Sequence, residues 1–172
     1  GTDNVSRDIL ARLIYGARVS LIFAASGVFF GIVIGGLVGS IAGYFRGFLE
    51  TSLMFSVDVM LSFPALIGFL CITQFLGRQD LFILCLVIAI FIWPPFSRVA
   101  RATALSVSGK DFVTAARAIG TSTRRILFRE ILPNVFPPLL AYGLVLLATL
   151  VILESTLSFL GLGVEIPTAS WG

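Results

Sequence analysis

Long stretches of this chain carry no charge, and that absence constrains its fold more than any other feature of the sequence. Val19–Phe45, Leu81–Ser97 and Asn134–Leu153 contain no charged residue, and Thr51–Leu76 contains only Asp58. In hydrocarbon a backbone must satisfy its own N–H and C=O groups, so a run of roughly 20 apolar residues crosses a bilayer as a helix. The pattern predicts an all-α, polytopic transmembrane helical bundle, a single domain over residues 1–172. Its spans are expected at about 19–45, 51–76, 81–97 and 134–153, the third closed by Pro94-Pro95. Only 12% of the residues are charged, about half the share usual in soluble domains.

The same inventory excludes most chemistry. There is no histidine, the commonest metal ligand and general base. Cys71 and Cys85 both sit in apolar runs and read as free thiols, with no metal site or disulfide framework. No nucleophile–base pair appears, so no catalytic residue and no cofactor is expected. A phosphate-binding loop needs G-x-x-x-x-G-K-[ST]; Gly109-Lys110 has Ala104 and Asp111 where the leading glycine and the hydroxyl should stand. The net charge of +3 does not point to nucleic acid, because the basic residues flank the apolar runs. Gly1–Arg18 is polar and does not read as a signal peptide. The missing initiator methionine, and the stop at Gly172, lead us to expect a piece of a longer protein.

Seven of the twelve basic residues, Arg98, Arg101, Lys110, Arg117, Arg124, Arg125 and Arg129, lie between the third and fourth runs, against Asp111 and Glu130. The positive-inside rule places residues 98–133 in the cytoplasm. Alternation then puts Arg46–Glu50 inside, Gly77–Asp80 outside with Arg78, and Gly1–Arg18 outside despite Arg7, Arg12 and Arg18. Residues 155–172 become an extracytoplasmic segment.

Gly27, Gly31, Gly35, Gly39, Gly43 and Gly47 recur every fourth residue and predict a tight helix-packing face. Four residues overshoot a helical turn by about 40°, so this groove is expected to wind around its helix. Asp58 has two readings: a group on the route of a solute, or a residue at the cytoplasmic interface of a span beginning near Val59. Pro64 is expected to loosen the helix that follows. Glu154, followed by Ser155, also has two readings, lining the outer mouth of a path or reaching to the headgroups.

Between Lys110 and Pro133 the pattern changes to a water-compatible pair of helices. Phe112, Ala115, Ala116 and Ile119 fall at i, i+3, i+4 and i+7, on one face. Gly120 ends this helix, and Thr121 or Ser122 can cap a second one running through Ile126 and Leu127 to Pro133. An amphipathic helix adsorbed on anionic lipid would favour bulky residues at the centre of its face. Two alanines there suit insertion into a protein cleft.

Thr114-Ala115-Ala116, three residues, Gly120, then Leu132-Pro133 resembles the EAA signature of ABC importer permeases. Thr114 stands where that signature has glutamate, and Glu130 where it has isoleucine, with Ile131 adjacent. Gly1-Thr2-Asp3, Arg7-Asp8 and Tyr15-Gly16-Ala17-Arg18 are similar to the segment after the first span in dipeptide, oligopeptide and nickel importer permeases. Leu157-Ser158-Phe159-Leu160-Gly161-Leu162-Gly163, Pro167 and Ser170-Trp171-Gly172 resemble the second of their two permease subunits. The resemblance implies the ABC importer permease fold, six spans in the intact protein, and localisation in a bacterial or archaeal cytoplasmic membrane. It implies a partner permease subunit, two ATP-binding cassette subunits docked on the helix pair, and a periplasmic or surface solute-binding protein. It also implies transport of peptides or a related small solute. Two rivals stand beside it. One is an ion-gradient-driven transporter using Asp58 and Glu154; the other is a non-transporting scaffold that recruits a soluble protein.

Overall fold

The computed structural model describes residues 1, 8–77, 80–164 and 168–171; Thr2, Asp3, Arg7, Arg78, Pro167 and Gly172, named above, lie outside that set. Its elements are all helical. The first rod, Ile9–Phe45, joins α1 (Ile9–Phe30), a π-helical turn (Gly31–Gly35) and α2 (Gly36–Phe45). Asp8 opens it by accepting the Leu10 N–H at 3.0 Å. The helix therefore starts before the charge-free run at Val19, and Arg12 and Arg18 ride on it. At its far end Arg46 (φ 52) and Gly47 (φ 65) reverse the chain. Gly47 is thus a turn residue: an added Cβ would meet nothing within 4 Å, but the positive φ favours glycine. It takes no part in the packing row.

After this reversal come α3 (Gly47–Ser62) and α4 (Ala65–Leu76), bent against each other by 78°. Pro64 holds the preceding Phe63 extended, at φ −89 and ψ 125. It breaks the 51–76 run outright rather than loosening it.

The axis of the bundle is α5 (Leu81–Ser108), begun by Asp80, which accepts the Ile83 N–H at 2.9 Å. Pro94 and Pro95 lie inside it, and the expected stop there does not occur. Each proline frees one carbonyl a turn earlier, and in apolar helices packed neighbours tolerate such breaks. At 28 residues α5 is about 42 Å long, beyond the roughly 30 Å of a hydrocarbon core. Residues 98–108 are therefore a helical extension carrying Arg98 and Arg101, not loop.

The chain then forms α6 (Asp111–Ala118) and the last rod, Thr123–Phe159. That rod joins α7 (Thr123–Ile126), a second π-helical turn (Leu127–Ile131) and α8 (Leu132–Phe159). Pro133 does not end the helix, as the sequence led us to expect. It falls just past the π turn, whose i→i+5 bonding already interrupts the regular ladder, so the missing N–H costs little there. Helix also continues past Glu154 to Phe159. Among the described residues three helices are long and apolar enough to cross a membrane, or four if the bent pair counts as one span.

The glycines bring the first rod down onto α5. A Cβ at Gly35 would lie 2.5 Å from the Trp93 carbonyl oxygen, and one at Gly43 would lie 2.7 Å from that of Arg101. Gly31 sits against the Phe96 ring, and Gly39 against Ser97 and Ala100. Gly27 lies between Ile88 of α5 and Leu150 of α8. The predicted winding is offset by the π turn at Gly31–Gly35. Its i→i+5 bonds take more residues per turn and bring the row back toward α5. Phe96, fully buried at this contact, meets Tyr142 of α8 edge-on at 5.1 Å.

Candidate functional site

The knuckle between α5 and the last rod is built on a small buried base. Val113 is 0% exposed and joins Val107, Ile126, Leu127 and Ile131 in the core. The helix stops in a Schellman geometry: Gly120 has φ 77, its N–H donates to the Arg117 carbonyl at 3.0 Å, and the Thr121 N–H donates to that of Ala116 at 3.0 Å. Ser122 stands at the next N-cap without a side-chain cap bond. Val113 and the Gly120 stop fix where α6 begins and ends as a short projecting helix.

Of the residues assigned to its outer face, Phe112, Ala115 and Ile119 are exposed, Ile119 at 82%. Ala116 is half-buried and packs against the core, so the face is narrower than its spacing suggested. Thr114 is exposed, and its hydroxyl donates back to the Lys110 carbonyl at 3.4 Å. Leu132 and Pro133 are not on this face. They belong to α8, where Leu132 lines an apolar groove with Ile32, Val33 and Phe136. Val113 was missed because one residue inside a short helix carries no periodic signal of its own.

Three of the basic residues are committed to fixing this end of the bundle. The Arg117 guanidinium lies over the Tyr44 ring, 4.8 Å from its centroid. Arg101 donates to Glu50 at 2.6 Å and Arg98 to Asp58 at 2.7 Å, two pairs that clamp α3 to α5. Asp58 is therefore an exposed, paired carboxylate. It shares an open groove with Glu50, Thr51, Met54, Phe55, Arg98 and Arg101.

Glu154 lies at the other end. Its partner Ser20 is 23 positions before Gly43 on the first rod, about 35 Å of helix. The carboxyl is 1% exposed, so it does not reach toward headgroups. It accepts from Ser20 Oγ at 2.7 Å and from Ser158 Oγ at 2.9 Å. The returning C-terminal segment closes over this pair. Trp171 donates its backbone N–H to Ser20 Oγ at 3.3 Å and its indole N–H to the Leu13 carbonyl at 2.9 Å. Ser155 is half-buried beside it. Sequence reading missed Ser20 and Trp171 as partners, since they meet this end of α8 only across long chain separations; it also missed Ser158, one helical turn from Glu154, and Ser170, whose hydroxyl lies 3.3 Å from that of Ser158.

This cluster makes a direct prediction. Glu154→Gln keeps an acceptor for the serine hydroxyls and is expected to leave thermal stability in detergent nearly unchanged. Glu154→Ala orphans Ser20 and Ser158 and should cost about 1–3 kcal/mol, with faster proteolysis of the C-terminal segment. Equal stability of the two variants would show that the hydroxyl contacts contribute nothing.

Among the described residues no group of histidine, cysteine, aspartate or glutamate could hold a metal ion. The family described as binding-protein-dependent transport system inner membrane component matches residues 27–172. Over its whole length the chain is 39% identical to a Brucella suis biovar 1 (strain 1330) protein provisionally named a peptide permease, covering 57% of it. It is 35% identical to the oligopeptide transport system permease protein OppC of Haemophilus influenzae, covering all of this chain and 55% of that one. The chain thus spans a little over half the length of these relatives. A chain of the MetNI methionine ABC transporter, solved in inward-facing conformations, superposes with a TM-score of 0.79 at 23% identity, covering 91% of this chain and 77% of that one. That likeness is one of fold. Long apolar helices, a basic knuckle and these matches agree: the chain belongs to the binding-protein-dependent transport system inner membrane components, the permeases of ABC importers.

Proposed function

We propose that this chain forms half of the translocation path of an ATP-driven importer that receives its solute from a binding protein. The solute class is peptides or a related small molecule such as a nickel chelate. The observation that carries this reading is the α6 knuckle, which presents a small apolar face above a buried base anchored by Val113 and closed by the Gly120 stop. Such a face transmits force only if something soluble grips it. Two ATP-binding subunits fill that role in this reading, one on this chain and one on a second permease subunit. Hydrolysis belongs to them. The basic residues of 98–133 place the knuckle in the cytoplasm, and a periplasmic or surface binding protein delivers solute at the Glu154 end.

Closure of the ATP-binding subunits moves α6, and α5 carries the movement into the bundle. A docked element shifts the inward–outward equilibrium only by its differential contacts in the two states. Phe112, Ala115 and Ile119 supply those contacts, with Thr114 beside them and Gly120 fixing the exit of the helix. Leu132 and Pro133 anchor the return. The groove holding Asp58 is the part of this chain assigned to the path. Glu154, bonded to Ser20 and Ser158 with Ser155 next to it in the helix, closes its outer end. A gradient-driven transporter gives no role to the exposed apolar face of α6.

Purification of the intact protein tests the reading. It is expected to bring down two ATP-binding subunits whose hydrolysis rises when liganded binding protein is added. Solute uptake into vesicles by the permease without ATP-binding subunits would overturn it.

A further inference from the structure

The seven basic residues of the knuckle region are not equivalent. Arg98, Arg101 and Arg117 are held by Asp58, Glu50 and Tyr44. Lys110, Arg124, Arg125 and Arg129 make no ion pair among the described residues. The last three share the opening turns of the last rod with one exposed aromatic. Ile126, Leu127 and Ile131 turn inward, at 1%, 6% and 0% exposure. Arg124, Arg125, Phe128 and Arg129 stay outside, Phe128 at 60%. The half-buried Glu130 leaves residues 124–130 with three positive charges against one negative.

Depth along the rod decides what these side chains meet. Leu132–Leu153 is uncharged helix, about 33 Å long, close to the roughly 30 Å of a hydrocarbon core. With that stretch in the core, Arg129 lies about 5 Å and Arg124 about 12 Å beyond its edge. That is the layer of lipid phosphates and the water just outside it. Guanidinium forks match phosphate oxygens two at a time, and an aromatic side chain between them suits the boundary with the acyl chains. A soluble partner would be offered the separate face on α6, and gains nothing from an aromatic at this depth.

We infer that Arg124, Arg125, Phe128 and Arg129 form a binding surface for anionic phospholipid headgroups, seated where the last rod enters the bilayer. Its role is to hold the base of the knuckle at a set height, so that force on α6 moves α5 rather than the whole loop. The inference rests on the last rod spanning the bilayer, and resistance of the protein to alkaline carbonate extraction checks that separately.

The intact permease complex, exchanged into mixed phosphatidylglycerol and phosphatidylethanolamine and examined by native mass spectrometry, is expected to retain phosphatidylglycerol preferentially. The triple substitution R124Q/R125Q/R129Q should lower that retention on the order of a hundredfold, while R124K/R125K/R129K keeps most of it. Unaltered protein that shows no preference for phosphatidylglycerol overturns the inference, with no variant required. So does a glutamine variant that keeps the lipid but releases the ATP-binding subunits, because the arginines would then serve the soluble partner.

Discussion

Ala115→Trp is expected to leave the protein inserted and folded while binding-protein-stimulated ATP hydrolysis and solute uptake fall sharply. Ala115 is exposed at the middle of the α6 face, one helical turn from both Phe112 and Ile119. Because Ala115 is exposed in this chain, an indole there is expected to leave insertion and stability nearly unchanged. It does fill the space a partner cleft needs. Overpacking a close contact costs about 1–3 kcal/mol, roughly a 5- to 150-fold loss in a docking equilibrium. The measurement is stimulated hydrolysis by the reconstituted complex, with co-purification of the ATP-binding subunits as the second readout. Undiminished stimulation would mean that α6 is not the grip. Ala116→Trp is a poorer test, because Ala116 is half-buried against the core and the indole would disturb the knuckle itself.

Gly39→Leu should act on the bundle rather than on coupling. A Cβ at Gly39 would lie 2.6 Å from that of Ala100 and 2.8 Å from the Arg101 backbone nitrogen. Backbone cannot swing aside as a flexible side chain can, so the first rod must lift from α5 over several turns. The expected loss is about 3 kcal/mol or more, seen as a lower unfolding temperature in detergent and poor yield of folded protein. Gly109→Ala is the matched control. Its nearest atom is the Ser106 carbonyl oxygen at 3.8 Å and its φ is −90, so stability should change by less than about 0.5 kcal/mol. Equal behaviour of the two variants would show that the close approach contributes nothing.

These two residues show what kind of information the chain displays openly. The glycine row was legible because small residues at a fixed interval leave a periodic trace. Its partner helix was not, since nothing in Val19–Phe45 names Trp93, Ser97 or Arg101. Proline was the least reliable guide. Pro64 broke its helix, whereas Pro94, Pro95 and Pro133 did not. The difference lies in tertiary surroundings: the prolines of α5 are enclosed by the first and last rods, and Pro133 falls in the opening turn of α8 after a π turn.

The site divides in the same way. Phe112, Ala115, Ile119 and Gly120 could be read from spacing, because a short amphipathic helix and its stop are local properties. Val113 could not, because one buried residue in a short helix leaves no periodic trace, and Tyr44, Ser20 and Trp171 could not, because each acquires its role from a residue far along the chain. The charges show the boundary most sharply. The cost of burying charge in hydrocarbon keeps basic residues off the apolar runs, and seven of the twelve gather between the third and fourth. Which of them is neutralised is decided by the approach of α3 and α2 to the knuckle end. That packing commits Arg98, Arg101 and Arg117 and leaves Arg124, Arg125 and Arg129 facing outward, while α1 and the C-terminal segment close over Glu154 at the far end. Local sequence determines what can enter a membrane and where a helix can stop. Only the folded arrangement sets which polar groups meet, because partners distant along the chain come together through packing.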